Sequence, residues 1–198
     1  MARGPTSHTV SRKREIIEAA AQIFAVKGYR AATLDDIAAE IGVTRAALYY
    51  YIKSKEELIL EVSNKLMQHM AKVIRVGDSK LSPKEKTRKI IVLLVENAIV
   101  NLDAAVAHSG HISFMPPRRR MTFRRRQKKV DEVFQKTLRA GVEEGSFQID
   151  DVKMTAFAII GACNWVSRWY RPGNYLTPQQ IADSFIGVFE KGYLRKSK

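Results

Sequence analysis

The side chains with the clearest chemical capability in this sequence are arginines, and they occur in two settings. In VTRAALYYYIKSKEEL, residues 43–58, Arg45 follows Thr44 and precedes Ala46 and Ala47. Threonine entering a helix caps exposed backbone N–H groups. A guanidinium on the first turn, beside a surface kept thin by two alanines, can reach a base edge and bond guanine through both of its arms. Tyr49, Tyr50 and Tyr51 follow. Three successive side chains point around most of a helix, so they divide between bracing the helix and meeting phosphates. The second setting is RRRMTFRRRQKK, residues 118–129, with eight basic side chains in twelve positions and no acid. A run of that kind binds an anionic partner or forms a solvated face.

The whole chain of 198 residues carries a net charge of +14, and its distribution matters more than its size. Residues 80–130 hold thirteen basic and three acidic side chains, whereas residues 1–60 hold nine and seven. The excess therefore belongs to the middle of the chain, away from Arg45. One cysteine, Cys163, excludes an internal disulfide and a multi-cysteine zinc site, and its apolar surroundings AFAIIGACNWV predict a buried structural thiol. His108 and His111 bracket a loop with no carboxylate or thiol beside them, so no metal is expected. Phosphate-cradling glycine loops, HExxH and GxSxG are missing, which argues against an enzyme and against a cofactor. No apolar run approaches a membrane span and no signal segment follows the basic start MARGPTSHTVSRKRE, so a cytoplasmic protein is expected.

The elements that must position these groups read as helices throughout, giving an all-α fold. Ile16, Ala19, Ala20, Ile23 and Phe24 share a face of a first helix over 11–27, which Gly28 ends. Thr33 caps a second over 34–41, with Asp35 and Asp36 in its first turn. Gly42 stops that helix, and Thr44 starts a third. Ser54 with Glu57 predicts a capping box for a fourth, reaching about residue 73. After the break GDSKLS, Ser82, Pro83 and Glu85 begin a fifth helix, expected to run to about residue 108. Further helices are expected over 119–144 and 152–169, and from a Thr177–Gln180 cap onward. The boundary is placed so that 1–56 form a DNA-binding domain with a basic arm (Arg3, Arg12, Lys13, Arg14) and 57–198 a second domain. Ala156, Ala158, Gly161 and Ala162, with Ile181, Phe185, Val188 and Phe189 on the last helix, offer more apolar surface than one subunit easily covers, which predicts a homodimer.

Two short helices joined through Gly42 have the spacing of a helix-turn-helix, with the second helix reading the major groove. Leu48 and Ile52 would pack it back on Ile37, Ala38 and Ile41. The stretch TLDDIAAEIGVTRAALYYYIKSKEEL closely resembles the N-terminal signature of the TetR family of bacterial regulators, from the threonine start to the Ser-Lys-Glu-Glu that opens the fourth helix. The family's usual His-Phe is Tyr51-Ile52 here, which keeps the apolar role at Ile52. By this resemblance Thr33, Thr44, Tyr49, Tyr50 and Lys55 contact phosphates or position the reading helix, Ala46 lies on its DNA-facing side, and Arg45 contacts a base.

The resemblance also implies that the remainder binds an effector and dimerises. NWVSRWYRPGNYLTPQQIADSF, residues 164–185, is similar to the corresponding segment of TetR-type regulators of fatty-acid or steroid catabolism, whose effectors are acyl-CoA thioesters. Such a ligand needs an apolar channel and cations. Phe157, Trp165 and Trp169 are candidates for the tail; Arg119, Arg120, Arg124 and Arg168 for the phosphates. Asn164, polar on an apolar helix, needs a hydrogen-bond partner. The expectation is a ligand-responsive repressor, a homodimer on a pseudo-palindromic double-stranded operator, with an acyl-CoA-like effector. The alternatives are a TetR-type regulator of multidrug efflux taking apolar cations, and a sequence-nonspecific polyanion-binding protein.

Overall fold

The computed structural model describes residues 7–100, 115–170, 173 and 175–193. Among these residues all regular structure is helical: α1 Ser7–Lys27, α2 Leu34–Glu40, α3 Arg45–Tyr51, α4 Lys55–Gly77, α5 Pro83–Val100, α6 Pro117–Glu143, α7 Val152–Trp169 and α8 Pro178–Tyr193. His108, His111, Arg3 and the end expected for α5 lie outside the described residues. The chain divides into two compact units, and the first division along the sequence falls between Leu66 and Met67, inside α4. This division lies about three turns after the expected boundary at 56/57. Leu58, Ile59 and Val62, on the first turns of α4, are buried in the core of the first unit.

That first core is built on Ile16, Ala20 and Phe24 of α1, Ile37 of α2, Leu48 of α3 and Leu58 of α4. Local chemistry sets the turns between the helices. Gly28 ends α1 at φ +80°, and Gly42 ends α2 at φ +65°, a left-handed conformation that glycine adopts without penalty. Val43 N–H then closes on Ala38 O at 2.9 Å. Thr33 and Asp36 form a reciprocal capping box, and Thr44 Oγ1 accepts from Ala47 N–H at 3.2 Å. Ser54 Oγ caps α4 by accepting from Glu57 N–H, but the Glu57 carboxylate accepts from Lys53 N–H, one residue earlier than a standard box.

α1 starts at Ser7, four residues before the expected position, so Arg12, Lys13 and Arg14 belong to a helix and not to an extended arm. Arg12 pairs with Glu15 at 2.7 Å, and Lys13 with Glu61 of α4 at 2.8 Å. Arg14 is exposed.

In the second unit α5 packs along both α7 and α8. Its Ile90, Ile91 and Val95 meet Phe134 and Leu138 of α6 and Ile159 of α7 in one core. Gly141 permits the turn after α6 to fold back: a Cβ there would lie 2.1 Å from the Phe147 ring. Ser82 with Glu85 and Thr177 with Gln180 form the expected reciprocal caps of α5 and α8. Two expectations about the dimer face need correction. Ala156 is buried in the subunit's own core. Phe185 and Phe189 pack against that core too, whereas Val188 is 65% exposed. Cys163 is buried, and burial pushes its thiol up to about 12.

Candidate DNA-reading surface and effector face

α3 is held by one buried side chain and presents the rest outward. Leu48 is fully buried, Ile52 caps the helix from inside the core, and Tyr51 packs against that core. Ala46 and Ala47 are exposed, as expected for a thin outer surface. Tyr50 is 80% exposed and Tyr49 43%, so the triple tyrosine divides into one bracing ring and two available ones.

Arg45 is not a loose side chain. Its Nη1 donates to Asp35 Oδ2 of α2 at 2.7 Å, and its Nη2 donates to Tyr49 OH at 3.3 Å. The guanidinium also lies 5.6 Å from the Tyr49 ring centroid, within cation–π range. The Tyr49 hydrogen bond and the charge of Asp35 both hold its pKa above the ordinary value. Both partners leave the guanidinium exposed at the start of α3.

Thr33 and Thr44 serve as helix caps, exposed at their ends and available to phosphate. Lys55 Nζ donates to Arg30 O at 3.2 Å and lies 4.5 Å from the Tyr29 ring centroid, an arrangement that ties α4 to the segment between α1 and α2. Asp36, bonded by Lys27 at 2.6 Å as well as by the Thr33 cap, has a carboxyl lowered to about 2, with the Lys27 bond as the largest cause. Asp35 was legible in the sequence only as an acid favoured by a helix dipole. Its bond to Arg45 spans ten residues across the turn, and no local pattern announces it.

The candidates for effector binding fall on two helices. Arg119 and Arg124 are exposed on α6 and Arg120 is partly exposed, while Phe123, Val130, Phe134 and Leu138 of the same helix are buried. Arg126 of the same run is tied down, donating to Met67 O at 3.2 Å. On α7, Phe157, Trp165, Arg168 and Trp169 share an exposed face with Met154, and Asn164 at its edge is half-buried. Trp165 is 64% exposed and Trp169 42%, so within one subunit they line no enclosed channel. The structure therefore brings the α7 candidates together as a surface stripe.

A separate groove of about 840 Å³ opens among the end of α4, α5 and α8. None of the eight effector candidates lines it. Nothing in the sequence pattern pointed there, because its walls come from segments about a hundred residues apart.

A short capped helix, anchored by one leucine and carrying a clamped arginine, after a glycine turn from another short helix, defines a helix-turn-helix DNA-binding protein. Residues 16–62 match the bacterial regulatory proteins of the tetR family, and residues 80–193 match the tetracyclin repressor-like C-terminal domain. The chain belongs to the TetR family of transcriptional regulators. It is 30% identical over 190 residues to the HTH-type transcriptional repressor KstR2 of Mycobacterium tuberculosis, covering 94% of each chain. The solved structure of the ketosteroid transcriptional regulator KstR2 of Mycobacterium tuberculosis superposes with a TM-score of 0.79 at 27% identity, over 99% of this chain and 100% of that one. AibR, solved in complex with isovaleryl coenzyme A and operator DNA, gives 0.66 at 26% identity, over 89% and 97%. Among the described residues no helix is long and apolar enough to cross a membrane.

Proposed function

We propose that this regulator represses transcription as a homodimer on a pseudo-palindromic operator and is released by an acyl-CoA thioester of lipid or steroid breakdown. The observation that carries the effector and dimer reading is the α7 face. Met154, Phe157, Trp165 and Trp169 stand exposed along one stripe, with Ala158 and Gly161 between them and Arg168 beside the two tryptophans. A Cβ added at Gly161 would meet nothing within 4 Å, so a facing helix can come close there. A second copy covers such a stripe, and a thioester entering at its edge finds aromatic rings for the acyl part and Arg168 for a phosphate. The arginines at 119, 120 and 124 supply further cations. The similarity to AibR, whose structure holds isovaleryl coenzyme A, supports the ligand class, and that to KstR2, a ketosteroid transcriptional regulator, supports the steroid context.

In a dimer the two α3 helices enter major grooves roughly 34 to 36 Å apart, or at a related spacing. The effector acts by binding better to the conformer in which that separation is wrong, and it shifts the equilibrium by no more than that difference in affinity. The test is fluorescence anisotropy on a duplex selected by the protein from a random pool, with light scattering to count subunits. Release by acyl-CoAs, lost in Trp165→Ala and Arg168→Ala, is the expected result. Release by apolar cations alone would point to the efflux-type reading, and a monomer on DNA would overturn the dimer.

A further inference from the structure

The groove among α4, α5 and α8 has a floor and a charge pattern of its own. Its floor is apolar: Val76, Leu81, Val92, Leu93 and the buried Ile186. Its lining also carries cations, Lys72 and Arg75 from the last turns of α4 and Lys89 from α5. Neither Lys72 nor Arg75 is in an ion pair among the described residues. Arg88 and Glu190, which also line it, are already committed to each other: the guanidinium is bidentate, its Nη2 2.6 Å from Oε2. That bond holds the Glu190 carboxyl below the usual range. Asp183 is bonded by Gln179 at 2.9 Å. Outside the Arg88–Glu190 pair the lining carries Lys72, Arg75 and Lys89 against two carboxylates: Glu96, two turns along α5 from Lys89, and Asp183, whose charge the neutral Gln179 amide leaves in place, so the balance is one positive charge.

The wall also contains an opening that side chains elsewhere on α8 would fill. Gly187 lines the groove, and a Cβ built on it meets nothing within 4 Å. A helix interior disfavours glycine relative to alanine, so its place here coincides with space and not with a packing need.

We propose that this groove is a second small-molecule site, distinct from the α7 face, and that it takes an amphipathic monoanion: an apolar body on the Val92–Leu93–Ile186 floor, with one carboxylate at Arg75 and Lys89. About 840 Å³ lies within the range of small-ligand sites. Glu96 disfavours a second anionic group at the far end of the ligand. The thioester of the α7 proposal differs in kind, because its anionic charge resides in the phosphates of coenzyme A and not in a carboxylate on the acyl part.

Isothermal calorimetry on the full chain tests this with dodecanoate, its methyl ester, dodecanedioate, acetate and dodecanoyl-CoA. Dodecanoate binds, and the ester, the diacid and acetate bind at least about tenfold more weakly. Gly187→Leu fills the groove from a position with free space, and Arg75→Glu reverses its charge; each weakens dodecanoate by about tenfold or more. Both variants lie on exposed helix positions, and their unfolding midpoints verify that the fold is intact. Trp165→Ala leaves dodecanoate binding unchanged. No dodecanoate binding, equal binding to both groove variants, or loss in Trp165→Ala instead would each overturn the second site. In the anisotropy assay on the selected duplex, failure of acyl-CoAs as a class to release DNA would overturn the α7 reading and leave this one standing.

Discussion

Arg45 and Arg124 carry the same guanidinium, yet the two units treat it differently. In the DNA-binding unit Arg45 is fixed by Asp35 and Tyr49 at the entrance to a seven-residue helix. On α6, Arg124 stands exposed in a run of like charges, with no ion pair among the described residues. A base edge must be met in one geometry, so a side chain that reads it gains from being held before it binds. A phosphate accepts a cation from many directions, and a field of exposed arginines suffices. The number of positive charges therefore says little about which unit reads sequence.

The largest expected effects concern the two cores. Leu48 and Leu138 are both fully buried, one beneath α3 and the other on α6. Truncating either to alanine should cost about 2–5 kcal/mol, as measured by chemical denaturation. Their functional consequences should separate. At a temperature where both variants remain folded, Leu48→Ala should have lost operator binding because its reading helix has lost its one anchor, and Leu138→Ala should retain it. Equal loss in both would mean that the reading helix is not independently anchored.

The arginine contrast itself comes next. Arg45→Ala should remove about 1–3 kcal/mol of discrimination between the selected duplex and variants with one G·C pair replaced. Arg124→Ala should leave that ratio unchanged. An Arg45→Ala protein that still selects the same duplex would remove base reading from this residue. Asp35→Asn should give a smaller effect, by replacing a charge-assisted bond of an exposed pair with a neutral one. A loss of affinity uniform over all duplexes would instead assign Asp35 to the stability of α2.

How much of this was legible beforehand follows from the range over which each feature is decided. The caps at Thr33, Thr44, Ser82 and Thr177 need only three or four residues, and the sequence shows them. The core faces of α1 and α6 follow from helical spacing, so Phe24, Phe134 and Leu138 were readable. Ala156 was misassigned because small residues on two faces of one helix look alike until a partner is placed: Ala158 is exposed, and Ala156, two residues away, is buried. The Asp35–Arg45 bond joins two helices across a turn, and Arg88–Glu190 joins residues 102 apart. Such pairs depend on the fold as a whole. The groove is less legible again, since its floor residues read as ordinary helix interior until α4, α5 and α8 leave a gap.

The smallest expected effect compares two caps, one in each unit. Asp36 closes the box on Thr33, and Glu85 closes the box on Ser82; both carboxyls are depressed. Their leading causes differ, being the Lys27 ammonium for Asp36 and the Ser82 hydroxyl for Glu85. A depressed carboxyl stabilises the fold above its ordinary value, 3.8 for Asp36, and that contribution is lost as pH falls through the folded value of about 2. The difference in melting temperature between the wild type and Asp36→Asn should therefore be present at neutral pH and shrink between about pH 4 and 2. Added salt screens an exposed ammonium–carboxylate attraction more than a bond to a neutral hydroxyl. Carboxyl titration by NMR should show salt raising the Asp36 midpoint more than that of Glu85, and equal shifts would mean that backbone capping, and not Lys27, holds Asp36 down.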